Sequence, residues 1–305
     1  MIQSGKDFNP PIGKPELLEP GVRRILAPNP SIMTFRGTNT YLLGTHDIAV
    51  LDPGPKNQEH LYAILRALEP DQKITHILVT HSHIDHSPLA MELSQATGAK
   101  IYGFGPTGSG QSKVMRELVA SGYEGGGEGS DIHFQPNMCL KDGDCIRGND
   151  WSISVLHTPG HFSNHLTFRW NDIAFTGDHI MEWASSMVSP PDGDLADFMA
   201  SCRKLQDRNW RVFYPGHGAP VQNPRDRLKW LISHRLGREA NILQALKKGQ
   251  MSPQQLAKKI YGPNSNVLLD AAARNVFAHL IDLRNRNYVS CDSPPRFQKL
   301  FWLIQ

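Results

Sequence analysis

Between the apolar run Ile74-Thr75-His76-Ile77-Leu78-Val79 and Pro88 the chain reads Thr80-His81-Ser82-His83-Ile84-Asp85-His86-Ser87, three imidazoles and a carboxylate within six residues. At the mouth of a buried strand this is too much polarity to leave unpaired, since desolvating a polar group without a partner costs roughly 2–7 kcal/mol. A metal centre is the economical reading, because imidazole nitrogen and carboxylate oxygen are common donors to divalent cations. Side chains two apart in an extended segment share a face, so His81 and His83 can hold one cation. Asp85 and His86, past the bend, then turn to a second.

A His-rich loop alone can also sit in solvent. Three further apolar runs, however, close on a Gly turn bearing a ligand-type residue. Trp151-Ser152-Ile153-Ser154-Val155-Leu156 leads to Thr158-Pro159-Gly160-His161, Ile173-Ala174-Phe175 to Thr176-Gly177-Asp178, and Trp210-Arg211-Val212-Phe213 to Tyr214-Pro215-Gly216-His217. Strands ending in ligands are expected to converge on one rim around two divalent metal ions. Zinc (Zn2+) suits this mix of imidazole and carboxylate, while Mn2+ and Fe accept the same donors.

With HxHxDH followed by a later His, Asp and His, the chain resembles the metallo-β-lactamase superfamily. The resemblance implies that His81, His83 and His161 hold the first metal, that Asp85, His86 and His217 hold the second, and that Asp178 bridges them. Asp52, in Val50-Leu51-Asp52-Pro53-Gly54, matches the motif whose Asp orients the site from behind the ligands. On the residues alone, an Asp before Pro-Gly serves a local turn equally well. His165 is either a donor, behind the ligands or to the leaving group, or a strand-start histidine. His157 and His179, next to ligands in sequence, are expected to face away. A water shared by two cations has its pKa lowered towards neutrality, so a bridging hydroxide can attack a phosphodiester, thioester, lactone or amide. By the resemblance, Asp85 also takes the catalytic proton. No GxSxG serine motif is present. His83, where flavodiiron oxidoreductases carry Glu, separates the chain from that branch.

The elements that must position these residues follow from the pattern. Thr40–Leu43 and Ile48–Leu51 around Gly44-Thr45-His46-Asp47 predict a hairpin that delivers Asp52. Asn57 caps a helix with Leu61, Ile64, Leu65 and Leu68 on one face, and Pro88 to Gly98 reads as another. A strand of the His-rich region lies between them, and a second half from 151 repeats the hairpin-and-helix rhythm, with Asp194 to Asp207 as a core-packing helix. The fold class implied is α/β, an αββα sandwich, which is the superfamily's fold. From Gly103 to Gly129 nine glycines, including Gly125-Gly126-Gly127, predict a mobile lid-like loop around a helix at Ser112–Ala120. It has no GxxxxGK[ST], so a phosphate cradle is not indicated.

At 305 residues the chain is expected to hold an extended, proline-punctuated arm (1–20) without core, a metal-binding catalytic domain (21–223) and a basic, helical, winged-helix-like domain (224–305). Ser252-Pro253 starts one of its helices, and a ribbon is expected near Tyr288 to Cys291. Residues 1–224 carry 18 Lys and Arg against 24 Asp and Glu; 225–305 carry 14 against 5. Basic charge beside a metal site suits a polyanion, and equally suits solvated helix faces. Cys139, Cys145, Cys202 and Cys291 form no CxxC; reduced, buried thiols are expected, with a Cys139–Cys145 hairpin bridge the lesser alternative. No apolar run spans a membrane and no apolar leader opens the chain, so a cytoplasmic location is expected.

The motifs Met33-Thr34-Phe35-Arg36-Gly37-Thr38-Asn39-Thr40-Tyr41-Leu42, Leu140-Lys141-Asp142-Gly143-Asp144, Tyr214-Pro215-Gly216-His217-Gly218 and Ile232-Ser233-His234-Arg235 resemble the β-lactamase-like group that includes an animal mitochondrial endoribonuclease. That group implies single-stranded RNA as partner. Here Ser87-Pro88-Leu89 follows His86 where the group often has Ser-Gly-Gly. The alternatives are a glyoxalase II-like hydrolase of a small thioester, lactone or other ester, and a non-catalytic, metal-stabilised nucleic-acid-binding module.

Overall fold

A computed structural model describes residues 7–125, 129–262 and 266–304. Residues 1–6 of the expected arm and Gly126 and Gly127 of the Gly-rich loop lie outside the described residues.

Two mixed sheets face each other. The first holds, in sequence order, β1 (Glu16–Glu19), β2 (Val22–Leu26), β3 (Asn39–Leu43), β4 (Asp47–Leu51), β5 (Lys73–Leu78), β6 (Lys100–Gly103) and β7 (Met138–Cys139). It is antiparallel through β4 and parallel from β4 to β7. The second contains β8 (Cys145–Arg147), β9 (Ser152–His157), β10 (Leu166–Trp170), β11 (Ile173–Gly177) and β12 (Val212–Pro215) in the order β12-β11-β10-β9-β8, with β12 parallel to β11.

Strand alternation builds the layers. Tyr41, Leu43 and Leu51 point inward to meet Val155, Phe168, Phe175 and Tyr214 of the other sheet. Leu42, Ile48 and Val50 point outward onto α1 (Gln58–Arg66) and α2 (Leu89–Thr97) through Ile64 and Leu93. Behind the second sheet, Leu156, Ala174 and Phe213 pack on Phe198, Cys202 and Leu205 of α4 (Leu195–Gln206). The result is the expected αββα sandwich. Helix starts follow local chemistry: Asn57 accepts the His60 N–H at 2.8 Å and Asp194 accepts that of Ala196 at 2.8 Å, caps worth about 1 kcal/mol each.

After β12 come α5 (Pro224–Leu246), α6 (Pro253–Tyr261) and α7 (Asn266–Asn285), then an antiparallel ribbon of β13 (Val289–Cys291) and β14 (Phe301–Leu303). Ser252 and Gln255 form a reciprocal capping box on α6. Ile242, Leu256, Phe277, Leu280 and Phe301 make a separate core. No helix among the described residues is long and apolar enough to cross a membrane.

Three expectations are corrected. The arm is not free of core: β1 pairs with β2, the Glu16 carboxylate meets buried Arg24 at 2.6 Å, and the buried Phe8 ring lies 4.6 Å from that guanidinium. The Gly-rich segment is not merely a loose lid, because Met115 and Leu118 of α3 (Lys113–Ala120) insert into the core of the C-terminal helices. The four cysteines are free thiols as expected, but Cys139 and Cys145 are exposed rather than buried, and they fall in different sheets rather than in one hairpin.

Candidate metal centre

Asp52 follows β4, His81 follows β5, His161 follows β9, Asp178 follows β11 and His217 follows β12. Glycine lets these turns close. At Gly160, with φ +137°, a Cβ would stand 2.2 Å from Phe198 Cα; at Gly216 it would stand 2.4 Å from Asp178 Oδ1 and 2.7 Å from His86 Cε1. No side chain fits either place without displacement.

The ligand atoms form two groups, His81, His83, His161 and Asp178 in one and Asp85, His86 and His217 in the other, which could hold a pair of metal ions. His81 Nε2 lies 2.8 Å from His83 Nδ1, and His161 Nε2 lies 3.1 Å from the same atom. His217 Nε2 lies 3.0 Å from Asp85 Oδ2 and 3.3 Å from both His86 Nε2 and Asp178 Oδ2. Asp178 stands between the groups, its Oδ1 3.4 Å from His86 Nε2 and its Oδ2 3.7 Å from His161 Nε2.

The opposite ring nitrogens explain why these atoms converge. His86 Nδ1–H donates to Asp52 Oδ2 at 2.9 Å, His161 Nδ1–H to the Met187 carbonyl at 2.7 Å, and His217 Nδ1–H to the Gly37 carbonyl at 3.1 Å. Thr80 gives its hydroxyl proton to Asp52, so its oxygen accepts from His81 Nδ1–H at 3.0 Å. When these rings are neutral, each Nε2 is therefore a bare lone pair turned inward. Asp178 Oδ1 is buried without a hydrogen-bond partner. Lone pairs facing lone pairs beside an orphaned carboxylate oxygen are what a divalent cation pair would satisfy, so the donor set fits.

Burial pushes His81 well below the usual imidazole range, and with His161 beside it brings His83 down to about 3. Burial likewise lowers His161. Burial opposes charge on the other two rings as well, but the carboxylates overcome it. Asp178 and Asp85 hold His217 up at about 10, and Asp85, Asp178 and Asp52 hold His86 well above its ordinary value. The same contacts outweigh burial to keep Asp85 and Asp178 well below the carboxylate range. One group thus favours neutral nitrogens, while around His86 and His217 the carboxylates favour positive charge, which a bound cation would supply in place of a ring proton.

Asp52 lies directly behind the ligands, receiving the Thr80 N–H at 2.7 Å, the Thr80 hydroxyl at 2.8 Å and His86. His165 is fully buried, bonded to the Thr158 hydroxyl at 3.0 Å through Nδ1, with Nε2 unpartnered and its ring 5.1 Å from that of His81. It faces the back of the cluster. His157 stacks on Phe104, and His179 lies against Phe198 and Cys202. The pattern of ligand types did not single out Thr80, Thr38, whose hydroxyl reaches Asp85 at 3.2 Å, or the carbonyls of Gly37 and Met187. Their places at strand ends, Thr38 directly before β3 and Thr80 directly before His81, were the available signal for the two threonines.

Above the cluster opens a cleft of about 490 Å³. His83, Asp85, His161, Asp178 and His217 form its floor, Met33, Ile84, Met181 and Met187 its apolar walls, and Asp270, Ala271 and Arg274 of α7 its far side. The metallo-beta-lactamase superfamily domain matches residues 33–217, the interval that contains this whole cluster. The chain belongs to that superfamily. Within the metallo-beta-lactamase superfamily it is 31% identical over 278 residues to a beta-lactamase-like protein 2 homolog of Drosophila melanogaster, covering 87% of this chain and 88% of the relative. It is 30% identical over 247 residues to an atrochrysone carboxyl ACP thioesterase of Aspergillus fumigatus, covering 79% and 70%. A beta-lactamase domain protein from Burkholderia ambifaria has the same fold, with TM-score 0.80 and 20% identity over 98% of this chain and 96% of that one. The chain is accordingly a hydrolase of the metallo-beta-lactamase superfamily.

Proposed function

We propose that this metallo-beta-lactamase superfamily hydrolase cleaves a small acyl thioester or ester, with His81, His83 and His161 holding one zinc ion, Asp85, His86 and His217 a second, and Asp178 serving both. The observation that carries this reading is the inward lone-pair convergence at the floor of an apolar-walled cleft. Two divalent cations there would supply Lewis acidity, lowering the pKa of water and offsetting charge that builds on an acyl oxygen. The protein's own groups do the rest. Asp52 and the Met187 and Gly37 carbonyls fix which ring nitrogen faces the cations. Met33, Ile84, Met181 and Met187 take up an apolar acyl group and exclude bulk water, which strengthens every electrostatic contact on the floor. Asp85, the more exposed of the two cluster carboxylates, faces the cleft and is placed to accept the proton of the attacking water. The thioesterase among the relatives supports the substrate class.

A second reading, single-stranded RNA, is favoured by the excess of 14 basic over 5 acidic residues in 225–305. In both, residues 21–223 carry the chemistry and 224–305 form a winged-helix-like unit that closes one side of the cleft.

Purified protein with quantified zinc, assayed side by side on acyl thioesters, lactones, β-lactams and single-stranded RNA, tests the choice. Asp178→Ala is expected to lose bound zinc and thioester turnover together. Normal zinc content and turnover in that variant defeat the metal assignment; cleavage of RNA far faster than any thioester defeats the substrate assignment.

A further inference from the structure

The segment from Asp178 to Val188 joins the ligand cluster to the cleft wall, and the C-terminal helices hold it. Arg227 of α5 donates through Nε to the Met181 carbonyl and through Nη2 to the Ala184 carbonyl, both at 2.7 Å. About two turns further along, buried Arg235 lies over the Phe198 ring, its Cζ 5.0 Å from the centroid. Its Nη2 donates to the Ser186 carbonyl, and its Nη1 to Asn275 Oδ1 of α7 at 2.8 Å. The same Asn275 oxygen accepts the Val188 N–H at 3.1 Å. Ser186 passes the hold inward, donating its hydroxyl to the carbonyls of Asp178 and His179. The next carbonyl, Met187, is the acceptor that fixes His161.

A guanidinium taken out of water is costly unless its donors are used. Here both Nη groups are directed at this segment or at the amide that also holds it. We propose that Arg235 and Asn275 are positioning residues of the metal centre, whose hydrogen bonds from α5 and α7 to the Ser186–Val188 backbone set the placement of Asp178 and His161. The proposal rests on the metallohydrolase reading above.

The test compares zinc affinity, by chelator competition, in the native sequence, Arg235→Lys, Asn275→Ala and Leu280→Ala, with Tm recorded for each. Lysine keeps the charge but cannot hold Ser186 and Asn275 in the same fork. Asn275→Ala removes the shared acceptor while leaving α7 a good helix residue. Leu280, buried in the separate core of the C-terminal helices, supplies a destabilised control outside the chain of bonds. Arg235→Lys and Asn275→Ala are expected to bind zinc about tenfold more weakly, with Leu280→Ala unchanged in affinity despite its lowered Tm. Native affinity in both clamp variants, or an equal loss in Leu280→Ala, overturns the proposal alone. Failure of the native sequence to take up zinc overturns it together with the metallohydrolase reading.

Discussion

His81, His86, His161 and His217 each have one ring nitrogen committed to an acceptor outside the cluster, the Thr80 hydroxyl, Asp52, the Met187 carbonyl and the Gly37 carbonyl respectively. That commitment decides which atom a cation meets, and it makes Asp52 testable apart from the ligands. In Asp52→Asn the amide carbonyl can still accept from Thr80 N–H, but the NH2 group turned towards His86 favours the tautomer with its proton on Nε2, the inward atom. Asn tolerates the left-handed backbone that Asp52 adopts at φ +49°, so the fold should persist. The expected outcome is a 10–100-fold weaker second zinc site at near-native Tm, read by stepwise chelator competition; equal affinity at both sites rules this role out. The seven candidate ligands were legible because imidazole and carboxylate at strand ends have few other uses. Their acceptors were not, since a carbonyl such as Met187 gains its role only through tertiary placement.

Hairpins and capped helices were legible from turn residues and periodicity, as Asn57 on α1 and Ser252 on α6 illustrate. Strand β1 was not, because the arm's prolines signal an arm and its pairing depends on β2 lying alongside. The Cys139–Cys145 bridge failed for a related reason: Lys141-Asp142-Gly143-Asp144 looks like a hairpin turn, but the chain uses it to cross from β7 in one sheet to β8 in the other. Thiol reactivity follows from that placement. Cys139 and Cys145 are exposed, whereas burial pushes the Cys202 thiol up to about 12 and raises that of Cys291. Because the thiolate is the nucleophile, a maleimide should label two thiols quickly in the native protein and the other two only after unfolding. Fewer than two fast thiols, recovered by a reductant, would restore the bridge.

Across the whole molecule, the αββα layers were legible from the two-half rhythm of strands and helices, while the union of α3 with the C-terminal helices was not: Met115 and Leu118 are an ordinary apolar pair until Phe277 and Leu280 are beside them. Charge is the property that separates the two substrate readings at this scale. Lys247 and Lys248, directly after α5, and Lys258 and Lys259, in the last turn of α6, are exposed within the region of 14 basic and 5 acidic residues. A single-stranded polyanion held there would release counterions on binding, so log Kobs would fall with log salt at a slope of about −0.7 per phosphate neutralised. A small thioester seated between Met33, Met181 and Met187 displaces no such atmosphere. Replacing the four lysines with Gln is therefore expected to leave kcat/KM on an acyl thioester unchanged from low to high salt, because none of them lines the cleft. If single-stranded RNA instead binds with a steep salt dependence that the same variant flattens, and is cleaved at the Asp178 centre, the basic helices belong to the substrate site and the RNA reading displaces the thioester one.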